Sequence, residues 1–196
     1  MSRRIAVFAV FLALVAGLSA DSLPRLALAA GWSGVARTDK TFRSIYPSFS
    51  MSPTVRVEMG IVGGLTAYAT ADWHKLNGTT TGADYETKLS VVYTEYGAGW
   101  RFEGEKLHVI PHGGIGIAYL REKSMGMKFT DHAPGFTAGL TARMYFGKKT
   151  FFDFCGDYLT ADVKMTEGGK IHLGGFRIRV GVGTHIRLFE SRYSEE

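Results

Sequence analysis

Apolar and polar residues alternate one by one along much of this chain, and no stretch after the first thirty residues follows a convincing helical period. The last segment is the cleanest. Phe176, Ile178, Val180, Val182, Thr184, Ile186 and Leu188 share one face, and Arg177, Arg179, Gly181, Gly183, His185 and Arg187 share the other. A period of two is the mark of a strand, because successive side chains leave opposite faces of the backbone. The same alternation runs through 65–74, 95–102 and 136–146. Together these segments predict strands near 31–42, 53–61, 65–76, 87–102, 106–121, 134–146, 150–164 and 170–189. The first is the least regular.

The connections alternate as well. Val62-Gly63-Gly64, Glu103-Gly104-Glu105 and Gly147-Lys148-Lys149 are tight-turn signals, whereas 77–85, 123–132 and 165–170 are longer and polar. Alternating short and long connections predict an all-β fold, an eight-stranded antiparallel up-and-down β-barrel with both termini on the short-turn side. Pro111 falls inside a strand and cannot donate to a ladder, so a bulge is expected there.

Alternation alone fits two opposite proteins. A soluble, lipocalin-like ligand-binding barrel hides its apolar face, and a transmembrane barrel turns that face to lipid. Three features favour the membrane. The polar face carries Arg rather than Lys, with Arg56, Arg101, Arg143, Arg177, Arg179 and Arg187 set against Glu58, Glu95, Asp153 and Asp157. Arginine's planar fork suits a crowded interior of paired charges, whereas a solvated face would be rich in Lys. The same face is loaded with Gly, including Gly97, Gly99, Gly114, Gly116, Gly139, Gly181 and Gly183; inside a narrow barrel these leave room for long side chains. Aromatics mark both ends of the apolar face: Trp100, Phe102, Phe146 and Phe152 beside the short turns, and Trp73, Tyr119, Phe136 and Tyr158 toward the long loops. Two aromatic girdles around an aliphatic band are the signature of a membrane barrel.

The amino terminus adds a compartment. Arg3-Arg4, an apolar run over 5–18 and small residues at 19–20 and 27–30 form a secretory signal pattern over 1–30, with cleavage near residue 20 or 29. The barrel is then expected over 31–189, with a short polar tail over 190–196. A single Cys rules out an internal disulfide framework. Of the net charge of +5, residues 1–30 hold Arg3, Arg4, Arg25 and Asp21, and what remains is too mild to indicate nucleic acid.

Over 31–189 the chain resembles the small outer-membrane β-barrels of Gram-negative bacteria, the outer-membrane-protein-A-like and opacity-like group. The resemblance rests on Tyr96-Gly97-Ala98-Gly99-Trp100-Arg101-Phe102, on His112-Gly113-Gly114-Ile115-Gly116-Ile117-Ala118-Tyr119 and on the final strand. It implies an outer-membrane location reached through the periplasm, and insertion by the outer-membrane assembly machinery. Such chains end on an aromatic residue. Phe189 resembles it, but seven residues follow.

Candidate chemistry is sparse. No His pair has the His-Glu-x-x-His spacing of a zinc site, and no metal or cofactor is expected. Cys155 shares the inner face with Asp153 and Asp157 and reads as an interior thiol. Barrels that edit lipid A carry a nucleophile and base at the outer rim, and some carry His-x-Ser, which is absent here. The best substitute is His74, Asp72 and Ser90. Those residues are more simply rim polar groups, so no catalytic residue is expected. The charge rows should fill the interior and exclude a large diffusion pore. The expected role is structural or surface interaction. Its expected partners are outer-membrane lipid and lipopolysaccharide, the latter through Arg43, Lys123 and Lys128. A lipid A-modifying enzyme is the first alternative and the soluble barrel the second.

Overall fold

The computed structural model describes residues 25–79, 85–164 and 170–187. Ten strands and one short helix follow in order: β1 (Arg25–Arg37), α1 (Lys40–Ile45), β2 (Phe49–Val62), β3 (Leu65–Thr79), β4 (Glu86–Trp100), β5 (Phe102–Glu103), β6 (Leu107–Ser124), β7 (Met127–Tyr145), β8 (Thr150–Lys164), β9 (Lys170–His172) and β10 (Gly175–Arg187). Each long strand pairs antiparallel with its sequence neighbour, and β10 pairs with both β8 and β1, so the sheet closes on itself. The staves are β1, β2, β3, β4, β6, β7, β8 and β10, with β5 continuing β4 and β9 lying beyond the wall.

Closure carries a stagger. Hydrogen-bonded partners lead from Arg37 through Gly175, Leu159, Thr137, Gly114, Gly97, Tyr68 and Glu58 back to β1 at Ala27, ten residues from the start. A stagger of this kind tilts the strands and leaves an eight-stranded interior just wide enough for side chains.

Inside and outside follow the alternation. On β10, Arg177 and Arg179 are buried while Phe176, Ile178, Val180 and Val182 are exposed. The exposed apolar set includes Trp32, Trp73, Trp100, Phe102, Phe136, Phe146, Phe152 and Tyr158, all on the outer face; Tyr119 is half-buried there. Phe146 and Phe152 pack beside the 147–149 turn, tilted by 34° with ring centroids 4.6 Å apart.

Several boundaries differ from the sequence expectation. Residues 25–30 are not separate from the barrel: they form the first half of β1, in register with both β2 and β10. The strand stops at Arg37, and 38–42 passes into a loop and α1, because Asp39 caps the helix by accepting from Phe42 N at 2.8 Å. Residues 123–132 are not a long loop. β6 and β7 run on to a two-residue turn at Met125-Gly126, both with positive φ, and the hairpin projects beyond the barrel. The expected last strand is split into β9 and β10 by 173–174. Pro111 carries no bulge. The β4–β6 register is unshifted across it, and the ladder merely lapses between β4 and β5, where its N–H is missing. The register shift lies instead between Gly60 and Val62. Residues 1–24, which hold most of the signal pattern, and Phe189 with the 190–196 tail lie outside the described residues.

Candidate functional site

The interior is organised in layers. At mid-height, four buried arginines (Arg56, Arg143, Arg177 and Arg179) meet five buried carboxylates (Glu58, Asp72, Glu95, Asp153 and Asp157), while the buried Arg37 lies toward the mouth over the Phe42 ring. The pairing matters, since an unpaired buried charge costs several kcal/mol. Arg177 is the hub. Its Nε donates to Asp157 Oδ1 at 2.7 Å, its Nη1 to Asp72 Oδ2 at 2.8 Å and its Nη2 to Glu95 Oε2. Arg179 donates to Asp157 Oδ2 at 2.7 Å. Nearer the short turns, Arg143 forks across Asp153 (2.7 and 2.9 Å) and Glu58 (3.0 and 3.2 Å), and Arg56 reaches Glu58 at 3.3 Å. Arg101 sits apart at the turn end, paired with the exposed Glu103 at 2.9 Å. The side chain of Arg187 is outside the described set.

The glycines serve this plug by a different route from the one expected. A Cβ on Gly97 or Gly114 would come within 2.5 or 2.8 Å of the Tyr68 hydroxyl, and one on Gly183 within 2.3 Å of the Phe151 ring. They make room for two rings, and the rings carry the cations. The Arg56 guanidinium lies 4.1 Å over Tyr68 and that of Arg143 lies 4.0 Å over Phe151. Tyr68 and Thr137 then each donate to Glu95 at 2.6 Å.

The candidate catalytic set does not assemble. His74 and Asp72 point inward and are fully buried. Ser90 lies on β4 between the inward Leu89 and Val91 and opposite the outward Lys75, so its side chain leaves the other face of the wall. His74 instead sits between Ser50 Oγ (2.8 Å) and Ser52 Oγ (3.0 Å), with Arg37 donating to Ser50 at 2.7 Å, and Asp72 is held by Arg177. A single cluster among the described residues has a metal-like donor set: His112, Cys155 and Asp157, with ligand atoms within 4.8 Å of one another. It does not suit a cation. Arg179 Nη2 already lies 3.2 Å from the Cys155 sulfur and 2.7 Å from Asp157 Oδ2, where an ion would have to sit.

Above the plug the inner wall turns apolar. Leu76, Leu89, Val91, Tyr93, Ala118, Ala133, Leu159 and Ala161 form one buried cluster with Phe42, Tyr46 and Leu173, which fold over the mouth. Asp39 ties the cover together. Its Oδ1 accepts from Phe42 N and its Oδ2 from His172 N at 3.1 Å. Burial alone would raise the Asp39 carboxyl, but these amides outweigh it and hold it below the usual carboxylate range. Tyr93 Oη donates to Leu173 O at 2.9 Å. Tyr46 takes an extended backbone before Pro47, which ends α1, and its hydroxyl donates to Glu122 Oε1 at 2.5 Å. Burial foremost, then the Glu122 carboxylate, pushes the Tyr46 phenol above its ordinary range and keeps it a donor. Between this cover and the β6–β7 hairpin lies a vestibule of about 320 Å³, lined by Phe42, Tyr46, Leu89, Leu120, Glu122, Phe129, Asp131, Val163, Ile171 and Leu173.

None of these lining residues was singled out from the sequence. A signal was there: on the inner face Leu89, Val91 and Tyr93 and Leu159, Ala161 and Val163 are apolar, whereas lower down the same face carries Glu95 and Asp157.

The outward face of the hairpin is opposite in character. Lys88, Lys123 and Lys128 are direct cross-strand partners, with Lys75 and Arg121 one row below, and all five are exposed. Arg43 is exposed in the last turn of α1.

The sequence matches no family model and no curated protein. Its fold is nevertheless that of known barrels. Ail of Yersinia pestis, solved in complex with the heparin analogue sucrose octasulfate, superposes with a TM-score of 0.58 at 10% identity, covering 84% of this chain and all of the other. The outer membrane protein OprG of Pseudomonas aeruginosa superposes at 0.58 and 10% identity, covering 83% of this chain and 96% of its own. A major outer membrane protein of Thermus thermophilus superposes at 0.51 and 11% identity, covering 82% and 99%. At these identities the likeness is one of fold.

Proposed function

We propose that this chain is an integral outer-membrane barrel, closed to bulk diffusion, that serves as a structural and surface-binding protein by gripping the anionic headgroups of lipopolysaccharide. The carrying observation is the Lys88–Lys123–Lys128 row. Like charges placed directly opposite in a sheet repel and destabilise it, so three in line with Lys75 and Arg121 beneath them form a surface that gains from a polyanion. The row sits on the outward wall at the loop end, where lipid phosphates would lie. Each cation near an anionic lipid surface gains ~1 kcal/mol. That Ail, of the same fold, was solved with a polysulfated sugar is in keeping with such chemistry.

The chain reaches its membrane by secretion and is inserted by the outer-membrane assembly machinery. Cleavage after Ala20 suits the barrel better than cleavage after Ala29, which would remove half of β1. The reading is a non-enzymatic one; in its support, the rim serine and the buried histidine lie on opposite sides of the wall.

The test replaces Lys88, Lys123 and Lys128 together by Ser. Thermal unfolding of the wild type should rise when lipopolysaccharide replaces zwitterionic phospholipid, and that rise should fall with added salt and be lost in the triple variant. An equal rise in both proteins refutes the reading. Mass spectra of lipid A from cells with and without the protein should be identical; loss of an acyl chain would make it an enzyme.

A further inference from the structure

The vestibule faces the same hairpin as the cationic row, from the other side. β6 and β7 sort their charges by face: Arg121, Lys123 and Lys128 point out, while Glu122, Phe129 and Asp131 point into the cavity. No basic residue lines the cavity. Its other polar group, the Tyr46 hydroxyl, is committed to Glu122 Oε1, which Thr87 Oγ1 also reaches at 2.9 Å. Glu122 has no ion-pair partner among the described residues, and Asp131 has only the exposed His132, at 3.9 Å. The rest of the lining is aromatic or aliphatic. At about 320 Å³ the space is at the small end of the ~300–1,000 Å³ typical of ligand pockets. Its floor is the apolar cluster, and beneath that the ionic plug closes the barrel.

From this arrangement we infer that the vestibule binds a small cationic amphiphile, with an apolar body between Phe42, Leu89 and Leu173 and a positively charged head at Glu122 and Asp131. The charge sign follows from the lining. An anionic amphiphile would bring a third negative charge to two carboxylates, whereas an ammonium head donates to them directly in a partly dry site. The dead-end floor makes this a binding site and not a route through the wall. The inference does not depend on headgroup binding, which uses the opposite face of the hairpin.

The test uses the full mature chain refolded in nanodiscs of zwitterionic phospholipid, with methyl resonances of Leu89, Leu120, Val163 and Leu173 as reporters. Decylammonium and decanoate share one chain length, so both enter the lipid. Decylammonium should shift the four methyls saturably, and decanoate should not. Glu122→Gln with Asp131→Asn should weaken decylammonium about tenfold, the loss of a charge-assisted hydrogen bond. Leu89→Trp, which fills the cavity while leaving both carboxylates, should abolish the Leu173 shift. Folding of each variant is checked by heat-dependent gel mobility. Equal affinity for both amphiphiles, an unchanged affinity in the double variant, or shifts confined to lipid-facing methyls would overturn the proposal.

Discussion

Replacing Arg177 with Met removes the hub of the plug while leaving a side chain of similar reach. Three carboxylates lose a donor at once, but unequally. Glu95 keeps Tyr68 and Thr137, each at 2.6 Å, and Asp157 keeps Arg179 at 2.7 Å. Asp72 keeps nothing equivalent. Its ion pair is with Arg177 at 2.8 Å, and its Oδ1 has no hydrogen-bond partner. The variant therefore strands one buried carboxylate, and breaking a buried pair from one side costs ~3–5 kcal/mol. Arg177→Met with Asp72→Asn removes the stranded charge and should recover ~2 kcal/mol, within the usual range of coupling between contacting residues. The assay is guanidinium unfolding from phospholipid vesicles followed by tryptophan emission. Trp32, Trp73 and Trp100 all lie on the exposed outer face, so emission reports departure from lipid. A loss below ~1 kcal/mol in Arg177→Met, or no recovery in the double variant, would show that the plug is hydrated and its pairs contribute little.

The cover over the mouth should respond to Asp39. Asp39→Ala removes a helix cap worth ~0.5–2 kcal/mol and the tie to His172, so amide exchange at Phe42 and His172 should accelerate while the barrel wall is unchanged. Because the Asp39 carboxyl is held below its ordinary value of 3.8, its contribution is full above that pH and lost as pH falls through the lower folded value; wild-type exchange at these amides should rise in that acid window and the variant's should not. Gly114→Ala puts a Cβ 2.8 Å from the Tyr68 hydroxyl and 2.7 Å from Tyr96 O, and should destabilise the barrel by ~1–3 kcal/mol, read by the same vesicle unfolding.

The barrel was legible because each stave has two unlike faces. Once Arg177 and Arg179 alternate with Ile178 and Val180, a one-residue slip would put guanidinium in lipid, so the register is fixed by the pattern itself. The alternation lost its power at the strand ends. In 123–132 Ser124 and Asp131 share the inner face with Met127 and Phe129, so the period is broken, and a broken period around a glycine reads as loop. Residues 27–30 are Ala-Leu-Ala-Ala, which matches a cleavage region, and their strand character comes from pairing with β2 and β10. The vestibule was hidden for a related reason. It is built where the inner face of the staves turns from charged to apolar, and by α1 and Leu173, which come from distant loops, so no local period marks it. Ser90 shows the converse limit: nearness to His74 across a hairpin does not tell which side of the wall a hydroxyl takes.

The central claim, that the apolar face looks into lipid and the charged face inward, is tested most directly at Val180. This residue is outward and about half exposed, 47%, between Trp32 on β1 and Phe154 on β8. Unfolding of Val180→Arg from phospholipid vesicles should show a loss of ~2–4 kcal/mol, the cost of a cation near the bilayer midplane. Wild-type stability for Val180→Arg in vesicles, with the protein recovered from the soluble fraction of cells, would contradict it and turn the barrel inside out.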